Sequence, residues 1–182
     1  MFGTRALIYI ALLVTFERSP LNAQDKAIEK LGPYYPTPQS IVAMMLELGG
    51  LKPGETMFDA GSGDGRIVIM AAAKFKAFAV GVEFDNDLWI SSGNRLIVLG
   101  LSGTAHIIHG DLLAQDYSTA DLVTVYLHPE GTSKLQPILD RQLKKGSRVV
   151  AHDYPFSAWR ATKLVKLNDE EGRAHRLFLY RR

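Results

Sequence analysis

Three glycines, Gly61, Gly63 and Gly65, alternate with small polar residues between two apolar stretches of the chain. Glycine suits a turn with positive φ, and it lets a ligand approach the backbone closely because it has no Cβ. A strand, a glycine turn and a helix N-terminus form a nucleotide-binding crevice at the carboxyl edge of a parallel sheet. The loop therefore predicts a site for a nucleotide or a nucleoside.

Carboxylates around the glycines indicate which nucleoside binds. Asp59 and Asp64 flank the turn, and Glu83 ends the next apolar stretch. These acids would repel a pyrophosphate, and the third glycine comes one residue too early for the G-x-G-x-x-G fingerprint. S-adenosylmethionine (SAM) has no phosphate and carries an ammonium and a sulfonium, while Glu83 can bind both ribose hydroxyls. The pattern predicts SAM as cofactor and S-adenosyl-L-homocysteine as product; the alternative is a βα turn with solvated acids.

Other candidate site residues follow the ends of later predicted strands, where ligands bind in such sheets. Asp111, followed by Leu112, is assigned to the adenine, although Asp111 would equally cap the next segment. His128 comes where a methyl acceptor should approach, and it is either catalytic or a structural hydrogen-bonding residue. Asp153 either aligns or deprotonates the acceptor, or it only shapes the pocket wall.

A proline-rich segment precedes the first predicted helix and contains two adjacent tyrosines. Its position before the glycine loop predicts that it folds over the cofactor. We assign Tyr34 and Thr37 to the cofactor and Tyr35 to the acceptor, where a ring face can bind an ammonium. The alternative for the tyrosines is simple packing. Thr37 is also predicted to be the helix N-cap, with Pro38 at the first helical position.

The predicted elements bring these groups to one edge of a doubly wound α/β sheet, because strands alternate with helices and the chain closes on a hairpin. Predicted strands cover residues 56–59, 78–83, 105–109, 122–127, 148–152, 163–167 and 174–180. Predicted helices cover residues 38–48, 66–75 and 87–99, and a fourth ends near Lys144. Pro137 marks either the start of that fourth helix or a kink in it.

Composition excludes several kinds of site. The chain of 182 residues fits one domain, and its formal net charge of +2 gives no strong signal for a nucleic-acid partner. The absence of cysteine excludes disulfides, thiolate zinc sites and a cysteine nucleophile. His106, His109 and His175 lack the helical spacing of metal ligands, so no metal site is predicted.

Residues 1–23 are predicted to be a separate segment, followed by the catalytic domain over residues 24–182. Arg5 precedes an apolar run over residues 6–16 that is too short to cross a bilayer. We favour an uncleaved membrane anchor that leaves the domain on the cytosolic side, where SAM is made. The alternatives are a signal peptide cleaved near Ala23, which would export the protein, and a buried N-terminal helix.

Four segments together resemble one known family: residues 33–38, 59–68, 123–130 and 146–153. They are similar to the small class I SAM-dependent methyltransferases related to the mitochondrial lysine methyltransferases of the ATP synthase c subunit and the adenine nucleotide translocase. The resemblance covers about residues 33–182. Phe84 and Asp85 stand where the family tends to have Asp-Pro, and His128 replaces an apolar residue.

The resemblance implies a Rossmann-like fold with a mostly parallel seven-stranded sheet, helices on both faces and an antiparallel last strand. It also implies SAM as methyl donor and a protein lysine as acceptor, with the enzyme itself among the candidate substrates. Family members often carry a hydrophobic N-terminal segment, which agrees with membrane association through residues 6–16. The open alternatives are a methyltransferase for nucleic acid or a small molecule, and a SAM-binding module without catalysis.

Overall fold

The computed structural model describes residues 34–182. The predicted anchor over residues 1–23 lies outside the described residues, as does the short polar stretch that precedes Tyr34. From Tyr34 onward, no helix has both the length and the apolar character that crossing a membrane requires.

Seven strands form one sheet with a single reversed strand. They are β1 (Thr56–Ala60), β2 (Phe78–Glu83), β3 (Ala105–His109), β4 (Leu122–Val125), β5 (Arg148–His152), β6 (Lys163–Asn168) and β7 (Ala174–Arg181). Their order across the sheet is β3-β2-β1-β4-β5-β7-β6. Strands β1 to β5 pair in parallel, and β7 is antiparallel to both β5 and β6. The predicted fold class is therefore confirmed, and the strand order reverses between β1 and β4, where ligands bind in such sheets.

Helices cover both faces of this sheet. They are α1 (Gln39–Leu48), α2 (Arg66–Ala73), α3 (Asn86–Val98) and α4 (Pro129–Gln142), with a short 3₁₀ turn over Leu112–Ala114. Met57 and Phe58 are consecutive in β1, so their side chains point to opposite faces. Met57 packs in a core with residues of α1, α2 and α3, whereas Phe58 packs in a second core with Leu135 and Leu139 of α4.

Three local predictions were wrong. Helix α1 starts at Gln39 with Pro38 as its N-cap, and Thr37 makes no capping bond because its hydroxyl lies 3.4 Å from Nδ1 of His152. Strand β4 ends at Val125 rather than 127, because β1 beside it ends at Ala60, where the glycine turn leads the chain away.

Pro137 was wrongly predicted to start or kink the fourth helix. It lies inside α4, which begins at Pro129, and buried residues on both sides of it anchor the helix to the sheet. The other predicted ends agree with the observed ends within the one or two residues by which boundary assignments normally differ.

Candidate active site

The glycine loop joins β1 to α2 at the point where the strand order reverses. Gly61, Gly63 and Gly65 all have positive φ, at 84°, 53° and 76°. The N–H groups of Gly61 and Ser62 both donate to the carbonyl of Val82, at 3.0 and 2.9 Å, so the loop is fixed against the end of β2. A Cβ on Gly63 would lie 2.6 Å from the ring of Tyr34. The backbone is therefore held open for a ligand, with the Tyr34 ring directly against it.

Asp59 is the buried carboxylate of the site. Its Oδ1 accepts a hydrogen bond from the hydroxyl of Thr124 at 2.7 Å, while its Oδ2 is buried without a partner among the described residues. Burial raises the pKa of Asp59 to about 7, and the negative charges of Glu83 and Asp64 add to the shift. A cation such as the α-ammonium of SAM would satisfy Oδ2 and favour the ionised carboxylate. The orphaned oxygen therefore fits this cofactor.

Glu83 is oriented by two backbone donors. Its Oε2 accepts from the N–H of Gly63 at 2.7 Å, and its Oε1 accepts from the N–H of Asp85 at 2.8 Å. An ionised carboxylate offers about four lone-pair sites, so each oxygen keeps capacity for one more donor. Glu83 can therefore bind two ribose hydroxyls while it remains fixed to the loop.

Asp64 differs from the role that the sequence suggested for it. Arg66 donates to both of its oxygens, at 2.9 and 2.8 Å, and Arg95 lies 3.2 Å from it. Although burial raises the pKa of Asp64, the hydrogen bonds and charge of Arg66 lower it below its usual value. The negative charge of Asp64 is therefore compensated, and the argument against a phosphate ligand rests on Asp59 and Glu83.

Arg66 also connects the proline-tyrosine segment to the glycine loop. Its Nη1 donates to the carbonyl of Thr37 at 2.7 Å. We call residues 34–37 the strap. The strap lies across the mouth of the crevice, with Tyr34 42% and Tyr35 65% exposed.

The strap, the loop and the ends of β2 and β4 enclose an open cleft of about 960 Å³, including solvent at its mouth. Most predicted site residues line this cleft: Tyr34, Tyr35, Thr37, Asp59, Gly61, Gly63, Glu83, Asp111, Leu112 and His128. Two predicted residues do not. Gly65 faces α3, since a Cβ there would meet Ser92 at 3.0 Å. Asp153 lies behind the wall of the cleft. The individual roles of the lining residues stay predictions.

Asp111 combines the two functions that the sequence left open. Its Oδ1 accepts from the N–H of Leu113 at 2.7 Å and caps the 3₁₀ turn, and the residue also borders the cleft. The capping bond fixes the carboxylate at the edge of the site. Leu112 follows it and supplies an apolar surface to the same cleft.

An aromatic pocket adjoins the cleft beyond the end of β4. Tyr35, Tyr126, Leu127, His128 and Tyr154 line it, and the first four of these also border the cleft. We call it the aromatic vestibule. His128 and Tyr154 stack with ring centroids 5.1 Å apart, and Tyr126 lies 6.4 Å from Tyr154. Burial, together with the charge of Asp153, raises the pKa of Tyr126 to about 12, so its hydroxyl is neutral.

Tyr126 and Tyr154 were not predicted as site residues. Both follow the ends of strands that border the switch point, which is the signal that could have identified them. The predicted strand over residues 122–127 included Tyr126. Because β4 ends one residue before it, the Tyr126 ring is free to form the wall of the vestibule.

Comparisons with known proteins agree with this geometry. Residues 59–163 match a family model described as the ANTKMT methyltransferase domain. The chain is 35% identical over 149 residues to a protein-lysine N-methyltransferase of Saccharolobus islandicus, covering 81% of this chain and 92% of that protein. It is 38% identical over 104 residues to the human lysine N-methyltransferase named for the c-ring protein of ATP synthase, covering 57% of this chain and only 44% of that longer protein.

One solved structure is similar along most of the chain. A crystal structure of an RNA methyltransferase from Salinibacter ruber, in complex with S-adenosyl-L-homocysteine, superposes with a TM-score of 0.76 at 38% identity. The match covers 81% of this chain and 93% of that one. The two kinds of comparison therefore agree on methyl transfer and name different acceptors for the relatives.

Proposed function

Because the chain belongs to the ANTKMT methyltransferase domain family, we propose that this SAM-dependent methyltransferase modifies the ε-amino group of a lysine in a protein. The observation that carries the proposal is the aromatic vestibule, which opens directly into the cofactor cleft. A lysine side chain is long and thin, and its ammonium binds favourably to aromatic ring faces. The vestibule supplies such faces where an acceptor would meet the methyl donor.

The protein's main contribution to the reaction is orientation. SAM supplies a methyl carbon that is activated by the adjacent sulfonium, and the acceptor must approach it in line with the bond that breaks. Asp59 would hold the ammonium of the cofactor and Glu83 its ribose, which fixes the donor at the mouth of the vestibule. Holding both reactants in line can remove several kcal/mol from the barrier.

The acceptor must reach the vestibule without its extra proton. A free lysine has a pKa of about 10.4, so it is almost fully protonated at neutral pH. Removal of the amine from water lowers its pKa, because burial disfavours the charged form. The rings of Tyr35 and Tyr126 would receive the ammonium, and His128, on the same wall, would align the amine as it loses its proton.

Labelling identifies the acceptor class directly. The full-length protein is incubated with SAM carrying a radiolabelled methyl group and a cell extract, and the products are divided between protease and nuclease digestion. We expect label that protease releases and nuclease does not, with methyl-lysine identified by mass spectrometry. The enzyme itself is included as a substrate candidate.

RNA is the second candidate acceptor, and the similarity to the Salinibacter ruber structure favours it. The aromatic rings of the vestibule could also stack on an extruded base. Nuclease-sensitive label without methyl-lysine would replace the lysine proposal with this one. Label confined to a small metabolite would overturn both.

We further propose that residues 6–16 attach the protein to a membrane, with the catalytic domain on the cytosolic side. The support is the apolar run after Arg5, which lies outside the described residues. Cleavage near Ala23 followed by export is the competing outcome.

A further inference from the structure

A second group of chemically capable side chains lies behind the aromatic vestibule. His152 and Asp153 come from the end of β5, and His175 comes from β7, which pairs with β5 in the antiparallel direction. His152 is fully buried, and His175 is only 9% exposed. No metal site was predicted from the sequence, because the histidines lack a ligand spacing along the chain, whereas the β5–β7 pairing brings these residues together across the sheet.

Three lone-pair atoms converge at this point. His152 Nε2 lies 2.9 Å from His175 Nδ1, and Oδ2 of Asp153 lies 3.4 Å from each of them. With Zn–N bonds of about 2.0–2.1 Å, ligand atoms lie about 2.9–3.4 Å apart for bond angles of about 90–110°. The three observed separations lie in that range. We propose that His152 Nε2, His175 Nδ1 and Asp153 Oδ2 form a binding site for a zinc-type divalent metal ion.

The outer nitrogens of both histidines already have the partners that metal-bound histidines use. Nε2 of His175 lies 3.3 Å from Oδ2 of Asp169, and Nδ1 of His152 lies 3.4 Å from the hydroxyl of Thr37. Acceptors of this kind orient ligand rings and hold the proton on the outer nitrogen. With both protons placed there, two nitrogen lone pairs and a carboxylate oxygen face one point with no proton between them. A cation is what this arrangement requires.

Other features of the cluster agree with metal binding. Metal ions bind neutral imidazole, and burial lowers the pKa of His152 to about 4, so this ring is neutral at physiological pH. Asp153 has a φ of +59°, a conformation that side-chain-bearing residues rarely adopt. Its Oδ1 accepts from the N–H of Arg176 at 2.8 Å, which aims Oδ2 at the two histidines. Two nitrogens and one oxygen favour zinc or a similar transition metal over magnesium or calcium.

The site would connect elements that support the vestibule. The ring of Tyr126 lies against the ring of His152, with centroids 3.9 Å apart. Thr37 belongs to the strap, and Asp169 belongs to the loop between β6 and β7. A bound ion would therefore fix the strap and the Tyr126 wall to the edge of the sheet. This role is structural and is independent of which acceptor the enzyme methylates.

Direct metal titration tests the proposal. The full-length protein, purified without a histidine tag and stripped with a chelator, is titrated with Zn²⁺ against a chromophoric chelator, and with Co²⁺ by visible absorption. We expect one equivalent bound and a higher melting temperature in the presence of Zn²⁺. His175→Gln should abolish this binding, and Asp169→Asn should weaken it by about 10–100-fold.

Two further variants make the test specific. Asp153→Asn keeps a residue that tolerates positive φ and removes the ligand charge, so it should weaken binding even if His175→Gln proves unstable. His106→Gln, on the exposed edge strand β3, should bind Zn²⁺ as the unmodified protein does. Circular dichroism confirms folding of each variant. Binding of less than one equivalent would overturn the proposal, as would equal binding by the His106 variant and by folded His175 and Asp153 variants.

Discussion

At the scale of single residues, Asp59 is the group whose charge depends most on whether the cleft is occupied. Its folded pKa of about 7 is far above the usual value for an aspartate, because burial disfavours the ionised form. Native protein therefore holds a proton that unfolded protein releases near pH 4. With this sign, the contribution of Asp59 to the free energy of unfolding is fully present at acid pH and is lost as the pH rises toward 7.

SAM binding should reverse this effect, because the cofactor ammonium favours ionised Asp59. We expect the affinity for SAM to rise between pH 5 and pH 7, with release of a proton on binding. Calorimetry at about pH 6, in buffers of different ionisation enthalpy, measures that proton. Asp59→Asn should bind more weakly and without proton release. Equal proton release by both proteins would contradict the assignment of Asp59 to the ammonium.

Glu83 gives the second prediction at this scale. Glu83→Gln keeps the shape of the side chain and removes its charge, so SAM affinity should fall by about 1.5–3 kcal/mol, the range for hydrogen bonds to charged groups. Asp87→Asn is the matched control, since Asp87 is an exposed acid in the first turn of α3 and does not border the cleft. Calorimetry that finds the same affinity for both variants would remove Glu83 from the ribose site.

At the scale of elements, the strap and the glycine loop depend on one close contact. Gly63→Ala would place a Cβ 2.6 Å from the Tyr34 ring, so the strap must move. Gly50→Ala is a matched control, because Gly50 also has positive φ, at 60°, but open space around it. Both variants should lose about 1 kcal/mol of stability from backbone strain. Only Gly63→Ala should also lose SAM affinity, measured by calorimetry on protein shown to be folded.

Tyr35 tests the acceptor side of the strap. It is 65% exposed, so Tyr35→Ala should fold normally. If the ring receives the acceptor, the variant should lose turnover or acceptor affinity more than SAM affinity, because the ring acts after the cofactor has bound. Phe78→Ala removes a ring of similar exposure, 52%, at the start of β2 and away from the cleft, and it should change neither. A loss confined to SAM affinity would assign Tyr35 to the cofactor.

At the scale of the whole molecule, the sequence predicted the sheet well because its signals are local. Apolar runs bounded by glycine and proline located all seven strands, and the glycine loop with Glu83 located the cleft. Contacts between distant segments were not accessible in this way. Compensation of Asp64 by Arg95 depends on α3 packing beside the loop, and the approach of His175 to His152 depends on β7 entering the sheet beside β5.

The N-terminal segment carries the prediction for the whole molecule. Every residue that lines the cleft or the vestibule lies between Tyr34 and Tyr154, so deletion of residues 1–23 should leave SAM binding and methyl transfer intact. The same deletion should move the protein from the membrane fraction to the soluble fraction. Replacing Leu12 and Leu13 by glutamate interrupts the apolar run without shortening the chain, and it should have the same effect, because charged groups are costly in a membrane. Fractionation, with activity measured in both fractions, makes the comparison. An exported protein whose mature chain begins at Gln24 would contradict the anchor and would separate the enzyme from the cytosolic supply of its cofactor.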